Sequence, residues 1–231
     1  MKKILITGGA GYIGSILSTK LIELGHEVTV IDKMKYSQDS LDHLQFFRKF
    51  KLVIGDANDK KLIKKYIKNQ DIIIPLAALV GAPLCEKFKS LAKKTNYDAI
   101  KLITTNLKSK QKIIYLNSNS GYGIGEKNKF CDENSPLNPV SLYGITKINS
   151  EKIVKKCKNF ICFRLATVFG YSYRMRTDLL VNFFVNENLK KKKIDIFEPN
   201  FRRNFIHVRD VVNGIIFSIE NFKKLNRNTF N

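Results

Sequence analysis

Near its start the chain reads Ile4-Leu5-Ile6-Thr7-Gly8-Gly9-Ala10-Gly11-Tyr12-Ile13-Gly14, and no other stretch limits the fold so tightly. A short apolar run ends in glycines spaced G-x-x-G-x-x-G. Ile13, Ile16, Leu17, Leu21 and Leu24 then follow at helical spacing. The pattern predicts a strand, a tight turn and a helix over 12–24, closed by Gly25. Gly8 allows the turn, Gly11 lets backbone approach a ligand, and Gly14 lets the helix sit close to the sheet. The helix N-terminus offers N–H groups and partial positive charge, which suits a diphosphate. Tyr12 and Ile13 open that helix and are candidates to line the same ligand. No G-K-[ST] follows the glycines, which excludes a P-loop.

The same alternation continues. Strands are expected at 4–7, 28–31, 52–54, 72–75, 113–116 and 160–165. Helices are expected at 41–50, 62–67, around 92–107 and at 142–157. The strands are apolar throughout, as strands buried on both faces are. Repeated βα units imply an α/β fold, a Rossmann-type doubly wound parallel sheet. From about Gly170 the pattern turns irregular. We therefore divide the chain into a dinucleotide-binding domain, 1–168, and a small substrate-binding region, 169–231, interleaved with the last sheet elements.

Asp32 ends the second expected strand. A carboxylate there accepts hydrogen bonds from the adenosine ribose and repels a 2′-phosphate, which favours NAD over NADP; Lys33 beside it softens that preference.

The net charge is +21 over 231 residues, from 41 Lys and Arg against 20 Asp and Glu. Nucleic-acid or anionic-membrane binding is one explanation. A compositional habit is the other, and the scatter of lysines at helical spacing favours it. Basic and aromatic residues do not interleave into a stacking platform, so no specific nucleic-acid partner is expected. No apolar run reaches the roughly 18 residues of a membrane span. The opening Met1-Lys2-Lys3 and the short apolar run read as a buried strand, not a leader, and a cytoplasmic protein is expected. The four cysteines form no CxxC pair and no His-x3-His accompanies them, so no zinc site is expected, and a chain of this size read without a secretion signal is not expected to carry a disulfide framework.

Tyr143-Gly144-Ile145-Thr146-Lys147 places a phenol and an amine at i and i+4, on one helix face. An adjacent ammonium lowers a tyrosine pKa, and such a tyrosine can take a proton from a sugar hydroxyl. Asn117-Ser118-Asn119-Ser120 follows the fifth expected strand, where Ser118 can orient the same hydroxyl.

Taken in order, these segments resemble the extended short-chain dehydrogenase/reductase family, in its NAD-dependent epimerase/dehydratase branch. The glycine string, Gly55-Asp56, Leu76-Ala77-Ala78, Ser118 before Tyr122-Gly123, Tyr143-x-x-x-Lys147, Arg164-Leu165 and Arg203-Asn204-Phe205-Ile206-His207-Val208-Arg209-Asp210 carry the resemblance. It implies NAD as cofactor and a nucleotide sugar as substrate. It implies that Asp56 and Ala57 contact adenine and that Leu76, Ala77 and Ala78 pass along the cofactor. Asn96 would support the site, and Tyr143 and Lys147 would also touch the cofactor. Arg203 would grip the substrate diphosphate; the bland alternative is a surface arginine beside Arg202. A homodimer through two helices per subunit is a further implication.

The chain departs from the family in three places. Where 4,6-dehydratases carry an Asp-Glu pair, it has Asn119 and Ser120. Thr167 stands where an asparagine is usual, and Ser172-Tyr173-Arg174-Met175-Arg176 is strongly basic, with Arg174 or Arg176 either serving an anionic sugar or phosphate or only solvated. The family also continues beyond the equivalent of Thr229-Phe230-Asn231, so a shortened substrate region is expected. An epimerase acting by transient oxidation of a sugar hydroxyl, at C4, is the leading expectation. A dehydratase or reductase of the same family, and a non-catalytic NAD-binding protein, are the alternatives.

Overall fold

A computed structural model describes the chain except for residues 37–38, 126–128 and 197–198. Its frame is a seven-stranded sheet, every strand parallel to its neighbours. The strands are β1 (Lys3–Thr7), β2 (Glu27–Asp32), β3 (Phe50–Ile54), β4 (Ile72–Pro75), β5 (Lys112–Ser118), β6 (Phe160–Leu165) and, after an excursion, β9 (Asn228–Phe230). Their spatial order is β3-β2-β1-β4-β5-β6-β9. The order reverses between β1 and β4, and ligands bind open α/β sheets at the strand ends beside such a reversal.

Successive strand residues face opposite sides, which splits the core in two. Ile4, Ile6, Val28, Val30, Ile72 and Ile74 pack with Leu17 and Leu21 of α1 (Tyr12–Glu23) and with Val211, Val212 and Ile215 of α8 (Val208–Glu220). Leu5, Ile31, Ile73, Ile113 and Tyr115 pack on the other face. Their partners are Ile63 and Ile67 of α2 (Lys60–Ile67), Ile100 and Ile103 of α5 (Ala99–Thr105), and Val154 of α6 (Leu142–Val154). Burial on both faces is why the strands read as continuous apolar runs.

Three sequence expectations change. The helix expected at 41–50 is a single 3-10 turn, Asp42–Leu44, and Phe50 already belongs to β3. Only Leu41 and Leu44 reach the core there, while Phe46 and Phe47 are exposed, so no apolar stripe holds a longer helix. The helix expected around 92–107 begins earlier, as α4 (Lys89–Lys93), and runs into α5 through a π turn, Lys94–Asp98. A short helix, α3 (Ala82–Lys87), precedes it. Beyond Gly170 the described residues carry regular elements: α7 (Leu180–Lys191), α8, α9 (Phe222–Leu225) and β8 (Phe205–His207), which pairs in parallel with β7 (Thr167–Phe169) just before Gly170. Lys190 and Lys191 end α7, and Lys192 caps it in the left-handed region. No helix of the described residues is long and apolar enough to cross a membrane.

Gly8 lies at φ +75°, and a Cβ there would stand 2.5 Å from the Ala77 nitrogen. Gly8→Ala therefore meets backbone strain and a clash together and is expected to cost at least about 2 kcal/mol. Gly214 lies in the middle of α8, where an added methyl meets nothing within 4 Å among the described residues. Gly214→Ala should stabilise by about 0.5–1 kcal/mol. Urea unfolding of both variants checks the pair; equal effects would refute this account of the turn.

Candidate active site

The site is built from the C-terminal ends of the central strands. The glycine turn leaves β1, and α1 starts at Tyr12 with Gly11 as its N-cap; no side chain of the described residues caps it. Its first N–H groups lack intrahelical acceptors and so point to a ligand. The turn closes on itself, Gly11 N–H donating to Gly8 O at 3.1 Å, and an added Cβ at Gly14 would stand 2.5 Å from that oxygen. Side-chain atoms are thus excluded where a diphosphate must lie against backbone, and the cradle fits the dinucleotide.

Asp32 stands at the end of β2, one strand over. Its carboxylate accepts from Ala10 N–H at 3.0 Å and Met34 N–H at 2.9 Å, so it holds the glycine turn in shape. Lys33 points away from it, onto Asp56 at 2.8 Å, and ties the ends of β2 and β3 together. Burial raises the Asp56 pKa, but Lys33 and Asn58 outweigh it and hold the carboxyl below its usual range. Ala57 is buried beside it. Leu76, Ala77 and Ala78 leave β4 half-buried and pass directly over Gly8.

Asn96 lies in the π turn and is fully enclosed. Its amide receives Leu79 N–H at 2.7 Å and donates to Leu79 O at 2.9 Å and to Thr146 Oγ1 at 3.3 Å. Its own carbonyl accepts from Ser150 Oγ at 2.6 Å. One buried amide thus binds the loop after β4 to α6, the helix that carries Tyr143 and Lys147. π turns often mark such places.

Tyr143 sits in the first turn of α6, half-buried, and packs against Leu79 and Cys85. Burial pushes its phenol up to about 12, helped by Cys85; Ser118 and the Arg176 guanidinium pull the other way. The expectation that Lys147 lowers it does not hold for the chain alone. The Lys147 stem runs inward, its Nζ donating to Leu116 O at 2.5 Å and lying 4.3 Å from the Tyr115 ring centroid. The i, i+4 spacing puts both residues on one helix face, yet a four-carbon stem can turn its head toward a strand carbonyl. Burial brings Lys147 itself down to about 7.

Ser118 ends β5. Its Oγ lies 2.9 Å from Ser120 Oγ and accepts from Ser120 N–H at 3.2 Å. Its own N–H donates to Asn117 Oδ1 at 2.8 Å, and Asn117 donates in turn to Glu151 of α6. Glu151 is paired with Arg164 at 2.7 Å, both almost wholly buried. Arg164, part of the family resemblance, is therefore an internal brace behind the serine. Arg203 is exposed in the loop before β8. Its neighbour Asn204 accepts from Asn119 Nδ2 at 2.6 Å, which brings the loop beside the Ser118 turn.

The sequence left Arg176 open, as an arginine for an anionic sugar or phosphate or as a solvated one, and did not point to Asn182. Arg176 is held by Asp178 and faces both Tyr143 and Tyr12; Asn182 donates to the Tyr12 hydroxyl at 3.1 Å and to Arg176 O at 3.0 Å. Arg176 was legible only as part of a basic run. Asn182 is the buried residue of an otherwise half-exposed α7, so no apolar pattern announced it. Among the described residues no group of three or more His, Cys, Asp or Glu is placed to hold a metal ion.

The sequence profile of the NAD dependent epimerase/dehydratase family matches residues 4–231. The chain belongs to that family, whose cofactor is NAD. Among its relatives is an uncharacterised UDP-glucose epimerase of Bacillus subtilis, 30% identical over 235 residues, 92% of this chain and 71% of that one. A dTDP-D-glucose 4,6-dehydratase of Dictyostelium discoideum is 29% identical over 242 residues, covering 93% and 54%. The crystal structure of UDP-glucuronic acid 4-epimerase from Bacillus cereus, with UDP-glucuronic acid and NAD, superposes with a TM-score of 0.87 at 24% identity. That match covers 98% of this chain and 76% of that one.

The Lys147 amine carries a consequence for stability. Its folded pKa of about 7 lies below the ordinary 10.5, so between those values the unfolded chain binds a proton that the folded chain has released. Stability from this group therefore rises with pH across that window, and its penalty is complete below about pH 7. Lys147→Met should flatten the rise in urea midpoint between pH 6 and pH 9. Parallel curves for variant and parent would contradict the buried amine.

Proposed function

We propose that the chain is an NAD-dependent sugar-nucleotide epimerase that inverts a sugar carbon, C4, by transient oxidation. The observation that carries this is the pairing of Ser118, at the end of β5, with the Tyr143 phenol at the start of α6, the helix that Asn96 binds to the loop crossing the glycine turn. Bound NAD supplies a reversible store for one hydride. Tyr143 takes the hydroxyl proton as the hydride leaves the sugar carbon, and Ser118 holds the oxygen in place. The resulting ketone turns over. Hydride then returns to its opposite face, and Tyr143 gives the proton back to the oxygen. A phenol at about 12 is a poor base near neutrality. That value already includes the pull of the Arg176 guanidinium, and the positive ring of an oxidised cofactor would favour the phenolate further.

Arg203 takes the substrate diphosphate in this reading, and 169–231 supplies the substrate side of the cleft. Asn119 and Ser120 argue for isomerase over dehydratase, since neither is a competent acid or base. The dehydratase reading is kept open by the Dictyostelium relative. Accumulation of a keto-sugar as final product would select it. We place the enzyme in the cytoplasm and infer a homodimer, supported by Leu84, Phe88 and Leu91, exposed along α3 and α4. A single-chain mass by light scattering would refute the dimer.

Two variants test the chemistry with UDP-glucose and UDP-glucuronate as probes. Tyr143→Phe should abolish interconversion, at least a thousandfold, while native mass spectrometry still finds NAD; undiminished turnover would sink the proposal. Arg203→Ala should raise KM by roughly 10–100-fold with kcat little changed, as loss of binding shared by ground and transition states does. An unaltered KM would return Arg203 to the surface.

A further inference from the structure

Between β7 and α7 the chain crosses the first turn of α1, and it is pinned there by more than one bond. The Tyr12 hydroxyl donates to Gly170 O at 2.6 Å, and Ser172 Oγ donates to Tyr12 O at 2.6 Å. Ser15 Oγ and Ser172 Oγ lie 3.0 Å apart, both buried. Asn182 closes the arrangement, accepting Gly170 N–H at 2.9 Å and donating to the Tyr12 hydroxyl. The anchor is thus the very turn whose N–H groups await a diphosphate.

From that anchor the segment reaches both ends of the dinucleotide trough. Arg176 faces Tyr143 at one end. At the other, the Tyr173 ring lies 4.4 Å from that of His43, which meets Thr19 of α1 at 2.8 Å. Beside it the Arg174 guanidinium lies 4.7 Å over the Tyr36 ring, in the field of Asp32. In the NAD reading Asp32 takes the ribose, and Arg174 with Tyr36, four residues past Asp32, then offers a cation and an aromatic ring beside the adenosine end. The glycine turn has only backbone N–H donors and a helix end to offer the dinucleotide's two phosphate charges; a planar guanidinium adds full charge and forked donors.

We propose that residues 170–178 form the outer wall of the dinucleotide site, and that Arg174, with Tyr36, is a cofactor-binding residue closing its adenosine end. The proposal rests on the NAD site and not on which sugar carbon reacts. A substrate-side segment then doubles as a retaining wall, and the cofactor stays bound between turnovers.

The test is the rate at which the full chain releases NADH, followed by fluorescence on dilution into excess NAD. Arg174→Ala and Tyr36→Ala should each speed release at least tenfold, and the double variant by less than the product of the two. Arg174→Lys, which keeps the charge and loses the planar face, should fall between. Both side chains are partly exposed, and thermal melts should stay within a few degrees of the parent. Release within twofold of the parent in both single variants would overturn the proposal. So would a rise confined to sugar-nucleotide KM, which would make the wall a substrate element alone.

Discussion

Everything at the candidate site depends on backbone approaching backbone at the point where the strand order reverses. The turn after β1, the loop after β4 and the first turn of α1 meet with no room for a Cβ at Gly8 or Gly14. Interiors are close-packed and transmit strain. A methyl group at either position would push β4 or α1 outward. The cradle for phosphate and the seat of Tyr143 would then move apart, because Leu76 to Leu79 join them.

Around that contact the structure is braced by buried polar groups rather than by apolar packing alone. Asn96 binds the loop after β4 to α6. Asn117, Glu151 and Arg164 bind the end of β5 to α6 and β6. Burial raises the Glu151 carboxyl, but Arg164 and Asn117 outweigh it and keep the group below its usual range. Such a pair adds little net stability, yet leaving one member alone is costly. Its position behind Ser118 makes the geometry of the serine, not the stability of the sheet, its natural consequence.

A few of the 41 basic residues have local duties. Lys33 joins two strand ends, Arg164 braces the core, Lys147 is held inside against a carbonyl, and Arg176 faces the phenol. None of these requires a nucleic-acid partner. Anionic ligands carrying phosphate would be drawn to such a surface in any case.

The sequence by itself determined the βα alternation, the glycine turn, Asp32 at the end of its strand and the pairing of Tyr143 with Lys147 on one helix. Each is written in local spacing, because strands, helices and tight turns depend on neighbours within a few residues. Helix α8 escaped the sequence reading, which takes the region beyond Gly170 as irregular, although Val208, Val211, Val212, Ile215 and Ile219 recur at helical intervals. Only the tertiary structure decided where the Lys147 head points, that β9 closes the sheet with three residues, and that Asn182 of α7 locks onto Tyr12. Those outcomes come from contacts between residues far apart in the chain, 170 positions in the case of Tyr12 and Asn182. A local pattern holds no record of such a contact, and a long side chain settles its direction only once its surroundings have packed.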